Sequence, residues 1–262
     1  MKRLVIAALV VAALGAVASS ATASSSNGVG LTSSSPIYDS TPAPLPGNIP
    51  SVGGEAYAFN SLGNKIQFVS GSRKLMNVVV TLSSFACSQG HWDNGSCYTP
   101  AGATFQQPVT LKIWDGAHTN VLASSTRSFN VPYRPSASRL CAADPDHPGG
   151  WYQPATTKCF NGLATQVSFD FGGNVTLPDT VVYEISYNTT HYGPSPIGEQ
   201  AACFRAGNCP YDSLNIGLSN KVNIGSDPDQ TTVWANGAAS SLYDTSYKTP
   251  AVQFIAARLW KV

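Results

Sequence analysis

The chain has 262 residues; 43% are hydrophobic and 11% charged, with Lys+Arg 15 against Asp+Glu 14. So little charge excludes long salt-bridged helices and coiled coils, whose outer faces need charge to be solvated. The even balance excludes an electrostatic nucleic-acid binder, which needs a basic surplus to displace counterions. An aromatic content of 10% supplies a core and excludes disorder throughout the chain.

Met1-Lys2-Arg3 is a short basic region, Leu4 to Val17 an apolar run, and Ala21-Thr22-Ala23 a small-residue cleavage motif ahead of Ser24. Residues 1–23 therefore read as a secretory signal peptide, with an apolar run too short to be a membrane anchor. Cleavage leaves 13 basic against 14 acidic residues, and no later segment is long and apolar enough to span a bilayer. The expected product is secreted and extracellular. Ser24 to Pro50, rich in Ser and Pro, reads as an extended lead-in, and residues 51–262 as one domain.

From there the pattern is β. Ile66 and Phe68 alternate with polar neighbours, and Met76, Val78, Val80 and Leu82 share one face. Val109, Leu111 and Ile113 alternate with Thr110 and Lys112. Val167, Phe169 and Phe171 alternate with Ser168 and Asp170. Val181, Tyr183, Ile185 and Tyr187 oppose Val182, Glu184 and Ser186, which places Glu184 on a solvent-facing side. Val252, Phe254 and Ala256 close the chain. Period-two alternation bounded by Gly, Pro, Asn and Ser is the strand signature. The expected fold is all-β: a two-sheet antiparallel sandwich of the jelly-roll or Greek-key type with about ten strands.

Connections alternate short and long. Asn60–Asn64, Ser70–Lys74, Gly116–Asn120 and Gly172–Asp179 are short; Ser84–Gln107, Pro132–Gly162 and Thr189–Asp212 are long. If successive strands run antiparallel, connections two apart emerge at the same end, so the three long loops should cluster. Six cysteines allow 15 pairings. Cys87–Cys97, Cys141–Cys159 and Cys203–Cys209 each fall within one loop and are the expected bridges. Long loops stapled in this way are ordered and functional more often than slack.

The first loop carries His91, Trp92 and Tyr98; the second Asp144, Asp146, His147, Trp151 and Tyr152; the third His191, Tyr192 and Tyr211. Rings on rigid polar loops offer flat faces for sugars or partner side chains, although the same rings can form small cores that hold their own loops down. Trp92, Tyr98, Trp151, Tyr152, His191, Tyr192 and Tyr211 are the candidate binding residues. Asp144-Pro145-Asp146 and Asp227-Pro228-Asp229 repeat one tripeptide. Two carboxylates flanking a proline can meet one hard cation, so Ca2+ is the candidate ion at Asp144, Asp146, Asp227 and Asp229. The alternative is a pair of turns. No other cofactor is indicated.

Catalytic motifs are sparse: the chain has no GxSxG, HExxH or phosphate-cradling glycine loop. Ile37-Tyr38-Asp39-Ser40, Pro44 to Ser51, Gly102-Ala103-Thr104-Phe105, Val131 to Ser136, Tyr187 to Pro194 and Tyr211 to Asn215 together resemble a family of uncharacterised secreted bacterial proteins typical of soil actinobacteria. That resemblance implies secretion and a β-sandwich. The expected function is non-catalytic recognition of an extracellular polysaccharide or cell-surface glycan. A secreted polymer hydrolase and an adhesive protein that binds another surface protein are the alternatives.

Overall fold

Strict alternation gives each long strand one apolar face, and two such sheets bury those faces against each other. The computed structural model describes residues 33–57, 59–187, 214–241 and 249–258. One sheet holds β1 (Ser34–Asp39), β2 (Ser51–Val52), β4 (Lys74–Ser84), β9 (Leu163–Thr176), β11 (Leu214–Ser219), β14 (Thr249–Pro250) and β15 (Val252–Ala257). The other runs in the order β13 (Ala238–Ser240), β12 (Val233–Ala235), β3 (Ser61–Gln67), β10 (Thr180–Tyr187), β5 (Thr104–Asp115), β6 (Val121–Pro132). A small hairpin, β7 (Trp151–Gln153) with β8 (Lys158–Phe160), stands apart, and one helical turn, α1 (Gly54–Tyr57), precedes β3. All pairings among these strands are antiparallel. The all-β two-sheet sandwich expected from the alternation is the fold observed.

Phe254 of β15 sits at the centre of the core, 5.4 Å from the Phe68 ring, 5.5 Å from Tyr183 and 6.3 Å from Tyr38, itself without exposed surface. Val78, Val80 and Leu82 meet Ile66, Leu111, Ile113 and Ile185 across the interface, all fully buried. Burial pushes the Tyr38 phenol up to about 12. Its hydroxyl lies 3.3 Å from Thr249 Oγ1, which also accepts from Asn64 Nδ2 at 3.1 Å. The buried polar groups thus satisfy one another, as burial requires.

Three differences from the sequence reading have local causes. Residues from Ser34 onward are not a lead-in: β1 pairs with β15 and belongs to the first sheet. Asn60–Asn64 is not a turn, because β3 begins at Ser61 and the turn before it is made by α1. A bulge between Leu75 and Asn77 shifts the register of β4, so Leu75 enters the core while Met76 is only partly buried.

At one end of the sandwich the short connections β3–β4 and β9–β10 are bonded together. The Phe68 amide donates to Asp179 O and the Leu177 amide to Arg73 O, and Arg73 Nη2 lies 2.8 Å from Asp179 Oδ1. The long β4–β5 and β6–β9 connections emerge at the opposite end, as antiparallel parity requires. The third long loop lies outside the described residues, as do residues 1–23. If the bulge sets the register, Leu75→Ala will cost about 2–5 kcal/mol in urea unfolding and Met76→Ala clearly less; the reverse order would place Met76 in the core.

Candidate functional site at the loop end

The two long loops are welded together by Arg134, a residue of the second loop with no exposed surface. Its guanidinium donates Nη1–H to Trp92 O (3.2 Å) in the first loop, Nη2–H to Gly149 O (2.9 Å) and Nε–H to Pro135 O (3.2 Å). A planar fork with five donors suits three diverging carbonyls in a way a lysine ammonium does not. Main-chain bonds continue the seam: Arg134 N–H to Ala86 O and Ala137 N–H to Cys97 O, each 2.9 Å. The Thr99 amide donates to Ser136 Oγ at 2.9 Å. The loops approach so closely at Gly149 that a Cβ there would lie 2.5 Å from Trp92 O.

Each loop is also stapled within itself. Cys87–Cys97 and Cys141–Cys159 are bonded as expected; Cys203 and Cys209 lie outside the described residues. Among the described residues no helix is long and apolar enough to cross a membrane.

Between the loops and the Asn48–Ser51 segment lies a cleft of about 330 Å³, walled by Phe85, His147, Phe160, Asn161, Asn48 and Pro50. Ser83 Oγ donates to Asn48 Oδ1 at 2.6 Å and the Ala164 amide to Gly47 O at 3.0 Å, which anchors the proline-rich segment as the third wall. Trp92 stands edge-on to Phe85 with ring centroids 5.2 Å apart. Asn161 donates Nδ2–H to Asp146 O at 3.4 Å, while its Oδ1 is buried without a hydrogen-bond partner among the described residues.

The candidate residues separate by burial. Tyr98 is 54% exposed, and Trp92 and Tyr152 are partly buried. Trp151 is only 6% exposed; its indole N–H donates to Gly162 O at 2.7 Å and its ring packs 5.4 Å from Phe160. Trp151 therefore supports the cleft wall from beneath and offers no face to a ligand. His191, Tyr192 and Tyr211 lie outside the described residues.

Both Asp-Pro-Asp repeats form the same turn. Asp144 Oδ1 accepts from the amide of Asp146 at 2.9 Å, and Asp227 Oδ1 from that of Asp229 at 3.0 Å. Asp144 Oδ1 also takes the His147 amide (3.0 Å) and faces His147 Nδ1 (3.2 Å). Burial opposes ionisation of Asp144, but these bonds outweigh it and hold the carboxyl below the usual carboxylate range. Asp227 Oδ2 accepts from Asn64 Nδ2 at 2.8 Å. Bonds from the Thr231 hydroxyl, the Thr231 amide and the Thr232 hydroxyl hold Asp229 below the usual range too. Among the described residues no three His, Cys, Asp or Glu side chains gather as a metal site.

Two features escaped the sequence reading. Arg134 is one basic residue among 15, and nothing in its neighbours marks it. Glu184, expected to face solvent, is 6% exposed. The β5–β6 turn and the β12–β13 hairpin cover it: His118 Nε2 lies 3.5 Å from its Oε2, and Ser61 Oγ (3.0 Å) and the Gly237 amide (2.8 Å) donate to its Oε1. Val182 beside it on the same face was the available signal, since an apolar outward residue implies cover.

Comparison with protein-family models, with curated proteins and with solved structures returns no match.

Arg134→Ala will strip three carbonyls of a charged donor and lower stability by about 3 kcal/mol or more, and Arg134→Lys will recover only part of that, both read by urea unfolding. A loss under about 1 kcal/mol for Arg134→Ala would show that the guanidinium does not hold the loops.

Proposed function

We propose that the chain is a secreted, non-catalytic binding protein that recognises extracellular polysaccharide or cell-surface glycan at its loop end. The observation that carries this reading is the cleft itself. Phe85 and Phe160 line it with rings and Asn48, Asn161 and His147 with polar groups, and Trp92 packs edge-on against Phe85 beside it. The loops that hold them are fixed by Arg134 and two disulfides.

Sugars bind through ring faces and neutral hydrogen-bonding groups, and they bind tightly only when those groups are ordered in advance. Tyr98, beside the Cys87–Cys97 staple of the first loop, is the exposed ring among the candidates described. Secretion rests on the signal-like residues 1–23 and on disulfides, which persist in oxidising compartments. Kinship with secreted actinobacterial proteins belongs to the same proposal.

The test is retention of the secreted protein on insoluble polysaccharides and purified cell walls. Trp92→Ala with Tyr98→Ala, checked for a native melting curve, will lose at least tenfold in retention. Trp151→Ala will instead lower the melting temperature, because its ring fills space beneath the loop. Wild-type protein retained on no matrix, or a double variant retained like wild type, would contradict the reading.

A further inference from the structure

The outer face of the β5–β6 ribbon is built unlike an ordinary solvent-facing edge. Gln106, Pro108, Thr110, Lys112 and Trp114 of β5 point outward, opposite Asn130, Ser128, Thr126 and Ser124 of β6. Long edge strands are normally guarded by charge. Here twelve residues of β6 carry only Arg127, whose Nη2 is committed to Asp170 O at 2.8 Å, and the outward row holds one charge, Lys112.

In place of charge, neutral side chains are ordered across the strands. Thr110 and Thr126 hydroxyls lie 2.7 Å apart, Ser128 Oγ donates to Gln106 Oε1 at 2.8 Å, and Gln106 Nε2 donates to Asn130 Oδ1. A hydroxyl is one donor and two acceptor sites, so each of these pairs retains capacity for a further partner. From Gln106 to Trp114 the row extends roughly 27 Å at the usual strand rise.

The row ends on a rigid stack of rings. Trp114 lies 4.4 Å from the His118 ring and His118 lies 4.3 Å from Trp234. Trp234, Gly63, Glu184 and Lys112 stand in one register line across β12, β3, β10 and β5. Gly63 is buried and packs directly on β10, where a Cβ would lie 1.6 Å from Tyr183 O; the buried Glu184 accepts from the Gly237 amide of the hairpin and lies 3.5 Å from His118 Nε2. Trp114 Nε1 is buried with no hydrogen-bond partner among the described residues.

We propose that this ribbon is a second glycan-contact surface, on which a neutral polysaccharide chain lies along the Gln106–Trp114 row and ends against the Trp114 ring. Its ligand class rests on the reading of the loop end, but its location does not. A neutral polyhydroxyl chain is the partner that matches a row of hydroxyls and amides with almost no charge to desolvate.

Three insoluble probes, microcrystalline cellulose, chitin and xylan, test the surface. Thr126→Arg with Ser128→Arg places bulk and charge on the row at exposed positions the fold tolerates, and Trp114→Ala removes the terminal ring. Both will reduce retention at least tenfold on any probe that holds wild-type protein, with Thr126→Arg/Ser128→Arg melting like wild type. If that double variant is retained like wild type while Trp92→Ala/Tyr98→Ala is lost, the ribbon is refuted and the loop end stands. If the ribbon variant is lost while the loop variant is retained, the loop end falls and the ribbon stands. If wild-type protein is retained on none of the three, both fall.

Discussion

A guanidinium with no exposed surface must find its hydrogen bonds inside the protein, because an unpaired buried charge costs several kcal/mol. Arg134 meets that demand with backbone carbonyls from two chain segments 42 residues apart, Trp92 and its own neighbourhood at Pro135 and Gly149. Carbonyls are set by the backbone path, so the constraint acts on loop conformation and not on side-chain rotamers. Both loops must hold their course for the charge to be satisfied. The two disulfides then fix each loop internally, and Trp151 fills the space beneath the second.

The sandwich places the loops where Arg134 can reach both. The β4–β5 connection passes from the first sheet to the second and the β6–β9 connection passes back, so they leave the core side by side at one end. The opposite end closes with short turns and the Arg73–Asp179 pair. Long loops raise entropy costs unless they are pinned, and at this end they are pinned by Arg134, the most buried cation among the described residues, and by the Cys87–Cys97 and Cys141–Cys159 bridges. A cleft walled by rings and amides is what that ordering leaves on the surface.

Much of this was legible in the residues, and the remainder failed for physical reasons. Alternation at 109–113, 167–171 and 181–187 marked strands because each sheet has a buried face. Loop lengths foretold that the β4–β5 and β6–β9 connections share an end, and cysteine spacing foretold two bridges. Periodicity does not register a bulge, so Met76 was placed where Leu75 lies. It describes one strand at a time, so the hairpin and turn that bury Glu184 were invisible from β10 alone. Ring burial is a tertiary property: Trp92 and Trp151 look alike in the chain, yet one is half-buried against Phe85 and the other is buried beneath its loop. Arg134 bonds to backbone carbonyls, which every residue carries, so residue types alone do not single it out.

The two loops, joined by Arg134, form one ordered unit. Native-state hydrogen exchange of the loop amides tests it most directly. The Arg134, Ala137 and Ser138 amides of the second loop and the Tyr98 amide of the first all donate to loop carbonyls at 2.9 Å. These four will exchange slowly and share one opening free energy, as members of a single cooperative unit. Independent exchange at rates close to those of an unprotected chain would contradict it.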